Sequence, residues 1–236
     1  MSEQQESASA EEQAAGSEVT ETTETSNDVK LSGIFAFKMG MSTVYSENGE
    51  AIPVTVLKYE PWIVSQVKTS DKDGYSALQI ACRPKKKKNA NKPEMGHFKA
   101  AGLDTGASIV REVRQELPEG AEVGKQISIN SLAKGDKVSL CSRSKGRGFS
   151  GAMKRHGFGG GPASHGSGFH RRPGSVGNCE FPGRIMPGRK MPGQYGNKNI
   201  TIRNLEIVDV LEDESVVLVR GSVPGARNSL VRITKQ

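Results

Sequence analysis

Residues 33–60, GIFAFKMGMSTVYSENGEAIPVTVLKYE, read as two strands of alternating pattern on either side of the turn ENGE. The Asn48-Gly49 pair is expected to supply the positive φ angles of a tight hairpin. Next along the chain, WIVSQVKT (62–69) and YSALQIAC (75–82) make a second pair, joined at DKDG, where Gly74 can turn left-handed. Residues 31–82 therefore predict a β-meander. Trp62, the single tryptophan, reads as a core residue rather than a platform for bases. Strand texture continues near SIVREVRQE (108–116), KQISI (125–129) and DKVSLCSR (136–143), and again at 199–225 and 228–235. A short helix is expected near 94–102. The prediction is a mainly β chain.

One segment breaks that texture. From Arg143 to Gln194 there are 14 glycines, five prolines and ten Lys or Arg among 52 residues, with a single acid, Glu180. Val176 and Ile185 are its only branched aliphatics. A structureless insert of this length inside a compact domain is usually functional or disordered. Flexible linkers lean on Ser, Glu and Gln, whereas here Phe149, Phe158, Phe169, Phe181 and Tyr195 are interleaved with cations through or just beyond the insert. Against a polyanion, glycines let backbone amides approach while Lys and Arg neutralise phosphates, and the chain orders as it binds.

The charge map agrees. Residues 1–29 hold eight acids and no Lys or Arg, too little apolar surface to offset the entropy of ordering, so a disordered acidic tail is expected. The remaining residues carry 33 basic against 18 acidic side chains, a formal +15. That charge points to nucleic acid as partner. A second basic run, RPKKKKNANK at 83–92, holds six cations and no acid and reads as a solvated or phosphate-facing loop. Three scattered cysteines, Cys82, Cys141 and Cys179, fit a reducing compartment, the cytoplasm. No secretory leader or run of about 20 apolar residues is evident, which disfavours the membrane.

Enzyme readings fare poorly. Gly146, Gly148 and Gly151 spell GxGxxG, but a dinucleotide site needs a helix directly after it and an acid about 20 residues on. The sequence AMKRHGFGGGP argues against the helix, and the next acid is Glu180. His156, His165, His170 and Cys179 lack the close pairing of a zinc site; no metal, cofactor or small-molecule substrate is expected. Histidines among arginines suit contacts to phosphate, ribose or bases.

The order SKGRGF at 144–149, with KR at 154–155, RRPGSVG at 171–177 and GRKMPGQYGN at 188–197, closely resembles the bacterial form of the large-subunit ribosomal protein L-three family. The resemblance extends over about residues 31–235, including the opening strands, PEMGHFKAAGL and VRGSVPGARNSLVRI. It implies a six-stranded β-barrel of the kind shared with translation factors, a long basic loop inserted into it, and a small helical segment. The chain would divide into the tail (1–29), the first part of the barrel domain (30–142), an rRNA-penetrating loop (143–194) and closing strands (195–236).

By the same resemblance the protein is a non-enzymatic constituent of the cytoplasmic ribosome. It would bind large-subunit (23S-type) rRNA, lie beside neighbouring large-subunit proteins, act early in assembly and extend its loop toward the peptidyl transferase centre. Lys145, Arg147, Lys154, Arg155, Arg171, Arg172, Arg184, Arg189 and Lys190 would contact RNA. His165 and His170, and Lys85, Lys86, Lys87 and Lys88 of the second basic run, are assigned with them. Gly177, Asn178, Cys179, Glu180 and Phe181 would form the inner tip. Two departures stand out. Ser139 aligns where the family usually has Asp or Asn, and Glu180 aligns where some relatives carry a glutamine methylated on its side-chain nitrogen. A carboxylate has no such nitrogen, so that modification is not expected. The alternative to a ribosomal role is a free cytoplasmic RNA-binding chaperone or regulator.

Overall fold

The computed structural model describes residues 31–236 apart from 119, 128 and 130. The acidic tail lies outside the described residues. The chain is mainly β, as its alternation implies. In order, the strands are β1 (Gly33–Tyr45), β2 (Ala51–Lys58), β3 (Trp62–Lys68), β4 (Ala77–Pro84), β5 (Ala107–Arg114), β6 (Gln126–Ile127) and β7 (Lys137–Arg143). They continue as β8 (Phe149–Ser150), β9 (Gly193–Gln194), β10 (Asn199–Leu211), β11 (Val216–Arg220) and β12 (Leu230–Lys235). Among the described residues three short α-helices are interspersed, α1 (Ser70–Asp73), α2 (Lys92–Lys99) and α3 (Ala152–His156), with one 3-10 turn at Lys87–Asn89.

Six strands pair in the closed antiparallel order β1-β12-β7-β10-β11-β2. Closure joins the two ends of the described chain, with Gly33 opposite Thr234 and Phe37 opposite Leu230. Alternate residues point inward, as the two-residue period requires: Val138 and Leu140 from β7, Val217 and Val219 from β11, Val231 and Ile233 from β12 are all buried. The first half of β1 departs from alternation, because Ile34, Phe35, Ala36 and Phe37 are all buried. A second sheet, of order β5-β4-β3-β6, packs on this stretch through Trp62 against Phe35 and Phe37, within one shared buried cluster, and strands covered on both faces read as continuous apolar runs.

The expected meander over 31–82 is corrected here. β1 pairs with β2 and β3 with β4, but β2 takes β11 as its other neighbour and β3 takes β6. The chain crosses between sheets at Tyr59-Glu60-Pro61, where proline cannot continue a ladder. Trp62 sits at that seam with 1% of its surface exposed. Its indole N–H donates to the Phe35 carbonyl at 2.8 Å and its ring lies 5.4 Å from Phe35 and 6.5 Å from Phe37, which satisfies the one polar group a buried tryptophan brings. Tyr59 crosses the same seam, donating its hydroxyl to the Ile127 carbonyl.

The β1–β2 turn also differs in detail. Gly49 alone has positive φ, at 79°, and its N–H donates to the Ser46 carbonyl at 2.9 Å. The loop is wider than a two-residue hairpin, so Asn48 does not need the left-handed conformation. Gly74 does adopt it, at φ 78°, ending α1. Irregularities recur where strands bend: pairing shifts between Lys38 and Gly40 in β1, and twice in β10. Such shifts increase the twist that lets a sheet curl closed.

Candidate nucleic-acid interface

The basic insert leaves the closed sheet at the end of β7 and returns at the start of β10, where Arg143 faces Asn199. The two arms stay together for several residues. Ser144 N–H donates to the Lys198 carbonyl at 2.9 Å, Arg147 N–H to Tyr195 at 2.9 Å, and Tyr195 N–H to Gly148 at 2.9 Å. β8 then pairs with β9. The stem of the insert is thus an antiparallel ribbon continuing the sheet, while its outer part is held by sparser bonds.

One crossing in this stem admits only glycine. Gly196 has φ of +70°, and a Cβ there would fall on the carbonyl oxygen of Lys145, far inside contact distance. Above it the Arg147 guanidinium lies 5.1 Å from the centre of the Tyr195 ring, a cation-π contact that fixes both side chains.

After the GxGxxG run the structure corrects the sequence reading, because a helix is present: α3 begins directly after Gly151 and ends at Gly157, whose φ is 74°. Ala, Met, Lys and Arg are all good helix formers, and the glycines that argued against a helix only terminate it. Its five residues pack back on the returning arm. Arg155 Nη1 donates to the Met191 carbonyl at 2.7 Å, joined there by His156 Nε2 at 3.1 Å. Two-residue β8 and so short a helix do not make the strand-turn-helix cradle of a dinucleotide site.

Beyond α3 the insert folds on itself through backbone contacts. Gly161 N–H donates to the His170 carbonyl at 2.7 Å. Further along, Arg189 Nη2 donates to the Ser175 carbonyl at 3.2 Å, and Ser175 Oγ to the Gly177 carbonyl at 3.0 Å. Gly177, Asn178, Cys179, Glu180 and Phe181 are all exposed, Phe181 at 89%. Ile185 and Met186 beside it are also open to solvent.

Among the described residues, none of the ten insert cations belongs to an ion pair. Lys145, Arg147, Lys154, Arg171, Arg172, Arg184, Arg189 and Lys190 are exposed, as are His165 and His170, and Arg155 is half-buried. Glu180 is likewise in no ion pair. The insert therefore presents its charge outward without internal compensation. No group of three or more His, Cys, Asp or Glu able to hold a metal occurs among the described residues.

The second basic run is less uniform than its sequence implies. Lys86, Lys87 and Lys88 are exposed. Lys85 is held by both carboxylate oxygens of Glu94, each at 2.9 Å. Arg83, expected in the solvated loop, instead belongs to the body: it lies within β4, half-buried, bonded to Glu60 and stacked on Phe37.

Some members of this surface escaped the sequence reading. Lys38, Lys145, Arg147 and Lys198 line one concavity at the root of the stem, together with Tyr195 and Gly225. Lys38 and Lys198 were not among the candidates. The visible signal for Lys38 was a lone cation ending the apolar run GIFAF; that it would meet residues over 100 positions away was not legible.

A closed β body carrying a long arm of cations, none of them in an ion pair among the described residues, defines a class, the basic β proteins with an extended cationic arm. Comparison with known proteins makes this particular. Residues 119–217 match the family described as Ribosomal protein L3. The large ribosomal subunit protein uL3 of Bdellovibrio bacteriovorus is 60% identical over 220 residues, covering 92% of this chain and 100% of that protein. The uL3 proteins of Desulforapulum autotrophicum and Desulfatibacillum aliphaticivorans are 44% and 46% identical, each over 86% of this chain and 98% and 96% of their own length. The chain belongs to the ribosomal protein L3 family, whose members are structural components of the ribosome and not enzymes.

Proposed function

We propose that this chain is a structural constituent of the large ribosomal subunit in the cytoplasm, binding large-subunit rRNA directly among neighbouring ribosomal proteins. The closed six-stranded sheet is the translation-factor-like barrel, which rests at the RNA surface, and residues 143–194 are the arm that enters the RNA toward the peptidyl transferase centre. Lys145, Arg147, Lys154, Arg171, Arg172, Arg184, Arg189 and Lys190 neutralise phosphates there, while residues 177–181 form the inner tip. Binding early in assembly follows from an arm that must be surrounded by RNA rather than laid on it.

The observation that carries this reading is the set of exposed insert cations with no acidic partner among the described residues, borne on a stem that continues the sheet. Counterion release makes such contacts strong and salt-dependent, and the glycine-rich backbone can reach between helices. Sedimentation tests it. The protein should remain with large subunits through moderate salt, whereas a free RNA chaperone should dissociate.

A further inference from the structure

We propose that the concavity where the arm leaves the closed sheet binds a single backbone phosphate of an RNA strand, with the Lys38 ammonium as its inner donor. This rests on the RNA-binding reading above and assigns one contact within it.

Four cations converge there from separate segments: Lys38 from β1, Lys145 and Arg147 from the outgoing arm, Lys198 from the returning one; among the described residues no carboxylate lines the space. Lys38 is the unusual member. It is half-buried beside the β1 bulge, and its Nζ donates to the carbonyls of Val223 at 2.5 Å and Gly225 at 3.4 Å. Those two acceptors are neutral, so among the described residues the charge has no counterion, and one N–H remains for a ligand. Burial pushes the Lys38 pKa down, and the nearby Lys145 charge pushes it further the same way. A bound anion would offset both effects.

The Arg147 side chain and the backbone that carries Lys145 and Lys198 are held in place before any ligand arrives. Arg147 is stacked on Tyr195, the Lys198 N–H donates to Ser144 Oγ at 3.3 Å, and the Gly196 crossing holds the Lys145 backbone. Such preorganisation reduces the entropic cost of binding. Lys145, Arg147 and Lys198 are exposed at the outer rim, so the site opens onto the cationic arm along which neighbouring phosphates of the same strand would continue.

The test is the salt dependence of binding between the full-length protein and large-subunit rRNA. Lys38→Gln should reduce the magnitude of the slope of log Kobs against log[KCl] by about 0.7 to 0.9, the value of one phosphate, and Lys38→Arg should restore it. Because the phosphate is held only while Lys38 and Lys145 are both present, either loss alone forfeits it, and Lys38→Gln with Lys145→Gln should reduce the slope no further than one substitution alone. An unchanged slope for folded Lys38→Gln, or additive losses in the double variant, overturns the proposal. A merely structural role for Lys38 would lower the melting temperature and leave the slope alone. If Lys38→Gln fails to fold, Lys145→Gln and Lys198→Gln on the exposed rim carry the same comparison: slope reductions that do not add support the shared phosphate, and unchanged slopes or additive losses overturn it. Inorganic phosphate titrated against the unaltered protein, followed by the Lys38 side-chain nitrogen signal, separates the sources. Saturation at low millimolar phosphate would make this a free-anion site and overturn the strand assignment; no saturation supports it. Failure of the unaltered protein to bind rRNA would instead remove the functional reading itself.

Discussion

The Arg83 guanidinium lies 3.7 Å from the centre of the Phe37 ring. In that position it also donates through Nε to Glu60 Oε2 at 2.6 Å and through Nη2 to Oε1 at 2.5 Å. Phe37 belongs to the closed sheet, Arg83 to the second sheet and Glu60 to the crossing between them, so one side chain ties all three. Arg83 adopts a φ of 58° to do so, a conformation disfavoured by about 1–2 kcal/mol for a residue with a Cβ.

Two substitutions separate the strain from the contacts. Arg83→Ala loses the stack and the forked bonds yet keeps the strained backbone, and should destabilise the body by about 1–3 kcal/mol. Arg83→Gly loses the same contacts but relieves the backbone, so it should be the milder change by about 1 kcal/mol. Urea unfolding of the two variants measures the difference; equal midpoints would contradict it.

Acid should weaken the fold through the same group. The Arg83 hydrogen bonds hold the Glu60 carboxyl below its ordinary value of 4.5, outweighing the opposite effect of burial. Glu94 and Glu112 are lowered chiefly by Lys85 and Lys68, and Asp136 by Lys235. A lowered carboxylate contributes stability that is complete above the unfolded value and is lost as pH falls through the folded one. The melting temperature should therefore drop below about pH 4.5, and Glu60→Gln should flatten part of that drop. A parallel pH profile for the variant would contradict the assignment.

At the stem, Gly196→Ala should loosen the arm, because the added methyl meets the Lys145 backbone and the positive φ is retained. Gly177→Ala offers a contrast: its Cβ would have only the Arg184 carbonyl oxygen at 4.0 Å for company. Amide exchange across 144–150 and 193–198 should accelerate in the first variant and stay unchanged in the second. Equal protection in both would show the crossing to be adaptable.

Among the lysines of 85–88, Lys85→Ala should weaken rRNA binding less than Lys86→Ala or Lys87→Ala, since Lys85 must first release Glu94. Filter binding at two salt concentrations tests this; equal losses would mean the Glu94 pair does not compete with phosphate.

Thiol labelling should be ordered by burial and ionisation. Cys179 is exposed and Cys82 buried, and burial, aided by the Glu60 charge, pushes the Cys82 pKa up to about 11. The thiolate is the reactive form, so a maleimide should modify Cys179 in the native protein and Cys82 only on unfolding. Mass spectrometry of the labelled peptides reads the order, and rapid Cys82 labelling would contradict it.

Much of the molecule was legible in its residues. Alternation marked the strands, Gly74 marked a turn, and a single acid among ten insert cations marked a surface with no internal partner. The motifs SKGRGF and RRPGSVG carried the family. Where local reading failed, a distant contact had intervened. AMKRH, helical by its own propensity, is anchored where its last turn docks on Met191, and Arg83 leaves the basic loop because Glu60 and Phe37 hold it.

The order of residues by itself determined which positions alternate, where glycine must turn the chain, and that the arm's charge would find no partner within the arm; these depend on neighbours a few positions apart. Tertiary structure alone decided that β2 lies against β11, that Gly33 meets Thr234, and that Lys38 shares a cleft with Lys198. A strand's period specifies which face is buried but not which strand lies beside it. That choice is settled only when the whole core packs, since each long-range pairing repays its closure entropy together with the others.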